Sequence, residues 1–205
     1  MLPEKSNYIM HVPKTKIYEK YNFSPGEKRL FDTDISSVCV VNIISPDTVN
    51  IEAGAKTKSV FITKVVIKNE KYKESNLLKL VRLIPQKQVL LLEYNNRYKL
   101  CMFYKKLYSG DWQNEPDLSI KGSNLDLLWE NWLKDIIGGK WNDNLSFEEN
   151  LEIKDKITFL LKLLNAKETK LRKEVQTGKR FDLHNETVRL RKEIKAEEEK
   201  LIHNP

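Results

Sequence analysis

The chain has 205 residues, of which 40% are hydrophobic and 32% charged, and its 36 Lys and Arg exceed its 29 Asp and Glu to give a formal charge of +7. The hydrophobic share is enough for a packed core and excludes a disordered chain, and two cysteines are too few for a disulfide-stapled miniprotein. No apolar run approaches the roughly 20 residues a membrane span needs, and the start Met1-Leu2-Pro3-Glu4-Lys5 lacks the pattern of a signal peptide, so a cytoplasmic location without membrane contact is expected.

Residues 1–34 read as an N-terminal arm and a short helix. Ser24-Pro25-Gly26-Glu27 is a helix start, with Ser24 as N-cap, Pro25 in the first helical position and Glu27 placed to close a capping box. Residues 35–44 are rich in β-branched side chains and predict a strand. Ser45-Pro46-Asp47 is a turn or a second helix start. Residues 59–68 predict a strand buried over much of its length, and residues 76–84 carry Leu77, Leu80, Val81 and Ile84 at helical spacing before Pro85 stops them. Residues 89–92 predict a buried strand, Asn95-Asn96 a hairpin turn, and residues 98–104 the returning partner.

Residues 109–114 form a loop containing Trp112, and residues 124–137 predict a helix ended by Gly138-Gly139. Trp112, Trp129, Trp132 and Trp141 cluster in this part of the chain; packing of the helix on a sheet accounts for them, and stacking on nucleic-acid bases is the alternative. From Ser146 onward Leu, Lys and Glu dominate, with Ile157, Leu160, Leu164, Leu171 and Val175, then Leu183, Leu190, Ile194 and Leu201, at coiled-coil-like spacing. The expected fold class is therefore α+β: a small mixed sheet covered by helices over residues 1–145, followed by a C-terminal antiparallel helical hairpin over residues 146–205, turning near Thr177-Gly178.

The chemistry-bearing residues are sparse. Cys39 and Cys101 lie in apolar runs and read as small buried hydrophobes. His11, His184 and His203 have no ligand-spaced partners, which gives no zinc pattern, and no phosphate-binding glycine loop is present, so no cofactor is expected. Glu168-Thr169-Lys170 and Glu193-Ile194-Lys195 resemble a nuclease triplet, but at that spacing on a helix the two charges do not share a face. Asp47, Glu52 and Glu93 are the remaining carboxylate candidates for a hydrolase.

Charge is unevenly spread. Residues 56–106 hold 13 basic and three acidic residues, residues 109–155 hold 11 acidic and four basic, and residues 162–180 hold seven basic and two acidic. A basic block attracts a polyanion unless it pairs with the acidic one. The candidate nucleic-acid contacts are Lys64, Lys68, Lys71, Lys73, Lys79, Arg82, Arg97, Lys99, Lys105 and Lys106.

Several segments together carry a resemblance: Val12-Pro13-Lys14 with Tyr18, Ser24-Pro25 with Lys28-Arg29-Leu30-Phe31, and Ser45-Pro46-Asp47-Thr48-Val49-Asn50-Ile51. Ile84-Pro85, the strand over residues 89–94, Tyr104-Lys105, Arg172-Lys173-Glu174-Val175-Gln176 and Leu183-His184-Asn185 complete the set. In this order, over nearly the whole chain, they resemble the bacterial and archaeal family called domain of unknown function 4391. The chain departs from the family pattern in the first strand, where a Trp is usual and this chain has Val40 or a neighbour, and at Thr177-Gly178, where Phe-Asn is usual. The resemblance implies no reaction and assigns no catalytic residue. It implies a setting beside helicases, DNA methyltransferases and restriction-type nucleases, as an accessory subunit in DNA modification or antiphage defence. In that setting the basic block meets the DNA backbone, and the hairpin, through Leu164, Leu171, Val175, Leu183, Leu190 and Ile194, docks on a helicase or nuclease partner. A divergent nuclease subunit and an assembly protein without nucleic-acid contact are the alternatives.

Overall fold

A computed structural model describes residues 2–202. The elements run β1 (Asn7–His11), α1 (Lys14–Lys20), α2 (Pro25–Asp34), β2 (Ile35–Ile44), β3 (Val60–Ile67), α3 (Glu74–Leu83), β4 (Lys87–Tyr94), β5 (Arg97–Tyr104), β6 (Lys106–Ser109), α4 (Leu125–Ile137), α5 (Phe147–Lys173) and α6 (Thr177–Lys200). The class is α+β: a six-stranded mixed sheet precedes two long helices that pack on each other. The chain divides into two compact units, Met1–Gly138 and Gly139–Pro205.

In the first unit the strands lie side by side in sequence order. Only β3 and β4 are parallel, because α3 carries the chain back between them; the other neighbours are antiparallel. The β4–β5 turn is Asn95-Asn96, both with left-handed φ (48° and 59°), the conformation a two-residue hairpin of matching twist requires. Val65, Leu90, Leu92 and Cys101 face one side, in a core with Phe31 of α2 and Leu77 and Leu80 of α3. The alternating residues Val60, Ile62, Val89 and Met102 are equally buried on the other side. There α4 lies against β5 and β6 and buries Leu128, Trp129, Trp132 and Leu133.

Both ends of α3 are tied to the sheet. At its start the buried Asp34 carboxylate accepts hydrogen bonds from the Lys73 backbone N–H and the Asn76 side chain, both 2.9 Å. At its end the buried Gln88 side chain donates to the carbonyls of Val81 and Ile84, both 3.1 Å, satisfying groups a helix end leaves open. The α2 start has the expected capping box between Ser24 and Glu27. Ser45-Pro46-Asp47 is a turn, not a helix start, and Thr48 Oγ1 holds it by donating to Ile43 O at 2.8 Å.

Three elements escape the sequence pattern. Both β1 and β6 are short edge strands, β1 exposed along its whole length, so neither shows an alternating apolar face. Helix α1 buries only Ile17. The cysteines are free, Cys101 buried and Cys39 partly so. Burial pushes the Cys101 thiol up to about 11, so it stays protonated at neutral pH.

The second unit is the helical pair. A capping box between Ser146 and Glu149 starts α5. The buried Asn150 side chain donates to Asn142 O and accepts from Asn142 N, closing the loop before the helix. The chain turns at residues 174–176, slightly earlier than the glycine suggests: Glu174 and Gln176 are extended, the Glu174 carboxylate accepts from the Gln176 N–H at 2.9 Å, and Gly178 lies in the first turn of α6. Ion pairs Lys156–Glu197 and Lys167–Glu186 fix the antiparallel register, which sets Leu160 opposite Ile194, Leu164 opposite Leu190 and Leu171 opposite Leu183.

Three outcomes test this architecture. Gly54 lies against the start of α4, where an added Cβ would sit 2.4 Å from Asp126 Cγ. Gly54→Ala is expected to destabilise the first unit by about 1–3 kcal/mol in a urea titration. A chain ended at Gly138 is expected to unfold in one cooperative thermal transition; a non-cooperative melt would show that the first unit needs the second. In the second unit the Lys156 and Lys200 ammoniums donate to the Glu197 carboxylate and hold it below the ordinary range. A depressed carboxylate pKa stabilises above its unfolded value and ceases to do so as pH falls through the folded one. Helical melting should therefore move down in temperature below about pH 4.5, with a smaller drop in Glu197→Gln.

Candidate nucleic-acid interface

The ten candidate cations occupy four places. Lys68, Lys71 and Lys73 lie on the β3–α3 connection, all exposed. That loop is pinned on the end of α2: Lys68 N–H donates to Asp34 O at 2.8 Å, Asn69 Nδ2 to Thr33 O at 2.9 Å, and Lys73 N–H to the Asp34 carboxylate. At the same end of the sheet β5 begins with Arg97, whose guanidinium is 3.9 Å from the Glu70 carboxylate of the loop. Arg97 and Lys99 are two apart on β5 and share the face of the α2–α3 core.

Trp112 lies against these two cations. Lys99 Nζ is 4.9 Å and the Arg97 guanidinium carbon 5.9 Å from its ring centroid, and the Tyr94 ring is 6.3 Å away. The loop carrying Trp112 is held along β5 by paired backbone bonds between Gln113 and Tyr98, 2.7 and 2.8 Å. The indole is half-buried in the same core as Leu92 and Tyr94. Five cations and two aromatic rings thus gather at one rim, where β3 and β4 end and β5 begins. Cations over aromatic faces are held in place by the ring, and lysine and arginine side chains are the usual donors to phosphate.

The other cations lie elsewhere. Lys79 and Arg82 are on α3; Lys79 Nζ is 4.1 Å from the centre of the Phe23 ring, and its carbonyl accepts from the Tyr21 hydroxyl at 2.7 Å. Lys105, with left-handed φ of 59°, and Lys106 make the β5–β6 reversal at the far end of β5, about 25 Å from Arg97 at strand rise. Lys64 points to the α4 side of the sheet and is ion-paired with Glu93, whose Oε2 is buried.

The carboxylate candidates do not converge. Asp47 and Glu52 lie in the β2–β3 connection, and Glu52 bridges to Asn124. Glu93 pairs with Val66, six residues along β3 from where that connection ends, about 20 Å away. Among the described residues no group of three or more His, Cys, Asp or Glu is placed to hold a metal ion. His11 lies on β1 and His184 on α6; His203 lies outside the described residues.

The candidate docking residues of the helical pair line the seam. Ile194 is buried, Leu164, Leu171, Leu183 and Leu190 are half-buried, and Val175 at the turn is 89% exposed. The open apolar side chains on these helices are Phe159, Leu161, Phe181 and Val188. Trp112 was legible only as an aromatic in a polar loop; its place beside Arg97 and Lys99 depends on the Gln113–Tyr98 pairing, which no sequence spacing encodes.

One family model matches residues 1–194, and the chain belongs to that family, the one described as domain of unknown function 4391. No curated protein and no solved structure matches the chain. Among the described residues no helix is long and apolar enough to cross a membrane.

The Lys64–Glu93 pair separates structural from binding cations. Lys64→Met leaves the Glu93 carboxylate without its partner and is expected to cost about 1 kcal/mol of stability. It should leave any salt-dependent nucleic-acid affinity unchanged in a parallel anisotropy titration.

Proposed function

We propose that this protein is a non-catalytic accessory subunit that holds a nucleic-acid backbone beside a helicase or nuclease partner, in DNA modification or antiphage defence. The observation that supports it best is the sheet rim, where Lys68, Lys71, Lys73, Arg97 and Lys99 gather with Trp112 and Tyr94. Lysine and arginine contacts to phosphate give affinity and register without reading sequence. The setting beside a helicase or nuclease, and the hairpin as the partner's dock, rest on the family resemblance.

Anisotropy titration of a labelled duplex at two salt concentrations tests the reading. With about four phosphates neutralised, log affinity against log salt should have a slope of roughly −3.6. Lys71→Glu with Lys73→Glu should weaken binding equally for unrelated sequences and make the slope shallower by roughly 1.8. No binding at low salt, or binding indifferent to salt, would sink it.

A further inference from the structure

The two long helices treat their charges differently along their length. In the shaft, cations are matched across the seam: Lys156 with Glu193 and Glu197, Lys167 with Glu186, and Arg191 with Glu168. At the turn end the matching stops. Lys170, Arg172 and Lys173 close α5, and Lys179 and Arg180 open α6; all five are exposed, and among the described residues none is ion-paired with a carboxylate. The one carboxylate among them, Glu174, is turned inward to the Gln176 N–H.

Two of the most exposed apolar side chains of the protein share this end. Val175 at the apex of the turn is 89% exposed, and Phe181, one helical turn into α6, is 65% exposed. Phe181 lies two residues before the seam residue Leu183, which puts it on the outer side of α6. Basic residues in the last turn of α5 complement that helix's dipole, but Lys179 and Arg180 stand in the early turns of α6, where a positive charge is disfavoured. Their placement thus opposes the stability of the helix that carries them.

We infer that the tip of the helical pair is a second nucleic-acid contact, distinct from the sheet rim, and that it takes an unpaired strand. Lys170, Arg172, Lys173, Lys179 and Arg180 meet successive phosphates, and Phe181 offers its ring to an unstacked base. A duplex keeps its bases stacked and has no use for that ring, whereas a single strand gains a stacking partner. The commitment to nucleic acid follows from charge complementarity: five unmatched cations within 11 residues, with a flat aromatic beside them.

The test uses the full chain and two labelled probes, a 20-nucleotide oligothymidine and a 20-base-pair duplex. For the single strand, five phosphate contacts give a salt slope of roughly −3.5. Lys173→Glu with Lys179→Glu and Arg180→Glu should make it shallower by roughly 2. Phe181→Ala should weaken the oligothymidine complex about five- to tenfold and leave the duplex complex unchanged. Lys179→Gln with Arg180→Gln, a milder change, should give an intermediate slope, with helicity checked by circular dichroism. The rim variant Lys71→Glu with Lys73→Glu serves as background. A tip effect that persists there supports the tip whatever becomes of the rim. Strand binding indifferent to the tip variants, equal loss on both probes from Phe181→Ala, or absence of strand binding would overturn the inference. So would tip-dependent capture by anionic phospholipid vesicles in place of the oligonucleotide.

Discussion

The structure of the first unit depends on one constraint: the central strands β3 and β4 are apolar on both faces. Val60, Ile62, Val65 and Ile67 of β3, and Val89, Leu90 and Leu92 of β4, are all at most 3% exposed. A strand of that kind is stable only when covered on both sides. The parallel pairing of these two strands requires a crossover, and α3 supplies both the crossover and, with α2, the cover of one face. Helix α4 covers the other. Asp34 and Gln88 are the polar residues this arrangement cannot do without, because they satisfy backbone and side-chain groups at the two ends of α3 inside the core.

Double coverage also decides where charge can go. A lysine pointing into either face needs a partner: Lys64 is ion-paired with Glu93 on one, and Lys99 lies over the Trp112 ring on the other. Most of the rest of the basic block lies at strand ends, in loops and on α3. The rim by Trp112 is therefore a consequence of the core: Asp34 anchors the loop carrying Lys68, Lys71 and Lys73 because it must cap α3, and Arg97 meets that loop because the Asn95-Asn96 turn ends β4 beside it. The same logic scatters the block. Lys105 and Lys106 turn the chain at the opposite end of β5 and cannot join the rim.

The strands from Ile35 to Tyr104, helices α3 and α4 and the helical pair were legible because each carries its own period of apolar residues. The edge strands were not, because β1 buries nothing and β6 has four residues. The partner of Lys64 is not legible in strand alternation, since Glu93 reaches it through the β3–β4 register, a tertiary fact. The hairpin turn was read from Gly178, yet the chain turns at residues 174–176, where a side-chain-to-backbone bond from the Gln176 N–H to Glu174 does what a glycine's freedom otherwise does. The charge blocks were plain in the sequence; their division between rim, α3, reversal and sheet interior was not.

In the helical pair, apolar matching alone would not set the register. Leu160, Leu164 and Leu171 meet Ile194, Leu190 and Leu183, but leucines of similar shape tolerate a slide by one heptad. Glu197 breaks that tolerance. It is 5% exposed, and its carboxylate receives Lys156 from the opposite helix and Lys200 from its own. A slide would take Lys156 away from the Glu197 carboxylate and leave it only Lys200 of its own helix. The exposed pairs further along, Lys167–Glu186 and Arg191–Glu168, contribute little each, ~0–1 kcal/mol. What remains at the turn is a set of cations of which only those closing α5 have a favourable place within the helical pair, at the negative end of its dipole. Cohesion in the shaft and unmatched charge at the tip thus follow from one distribution of Glu and Lys along two helices.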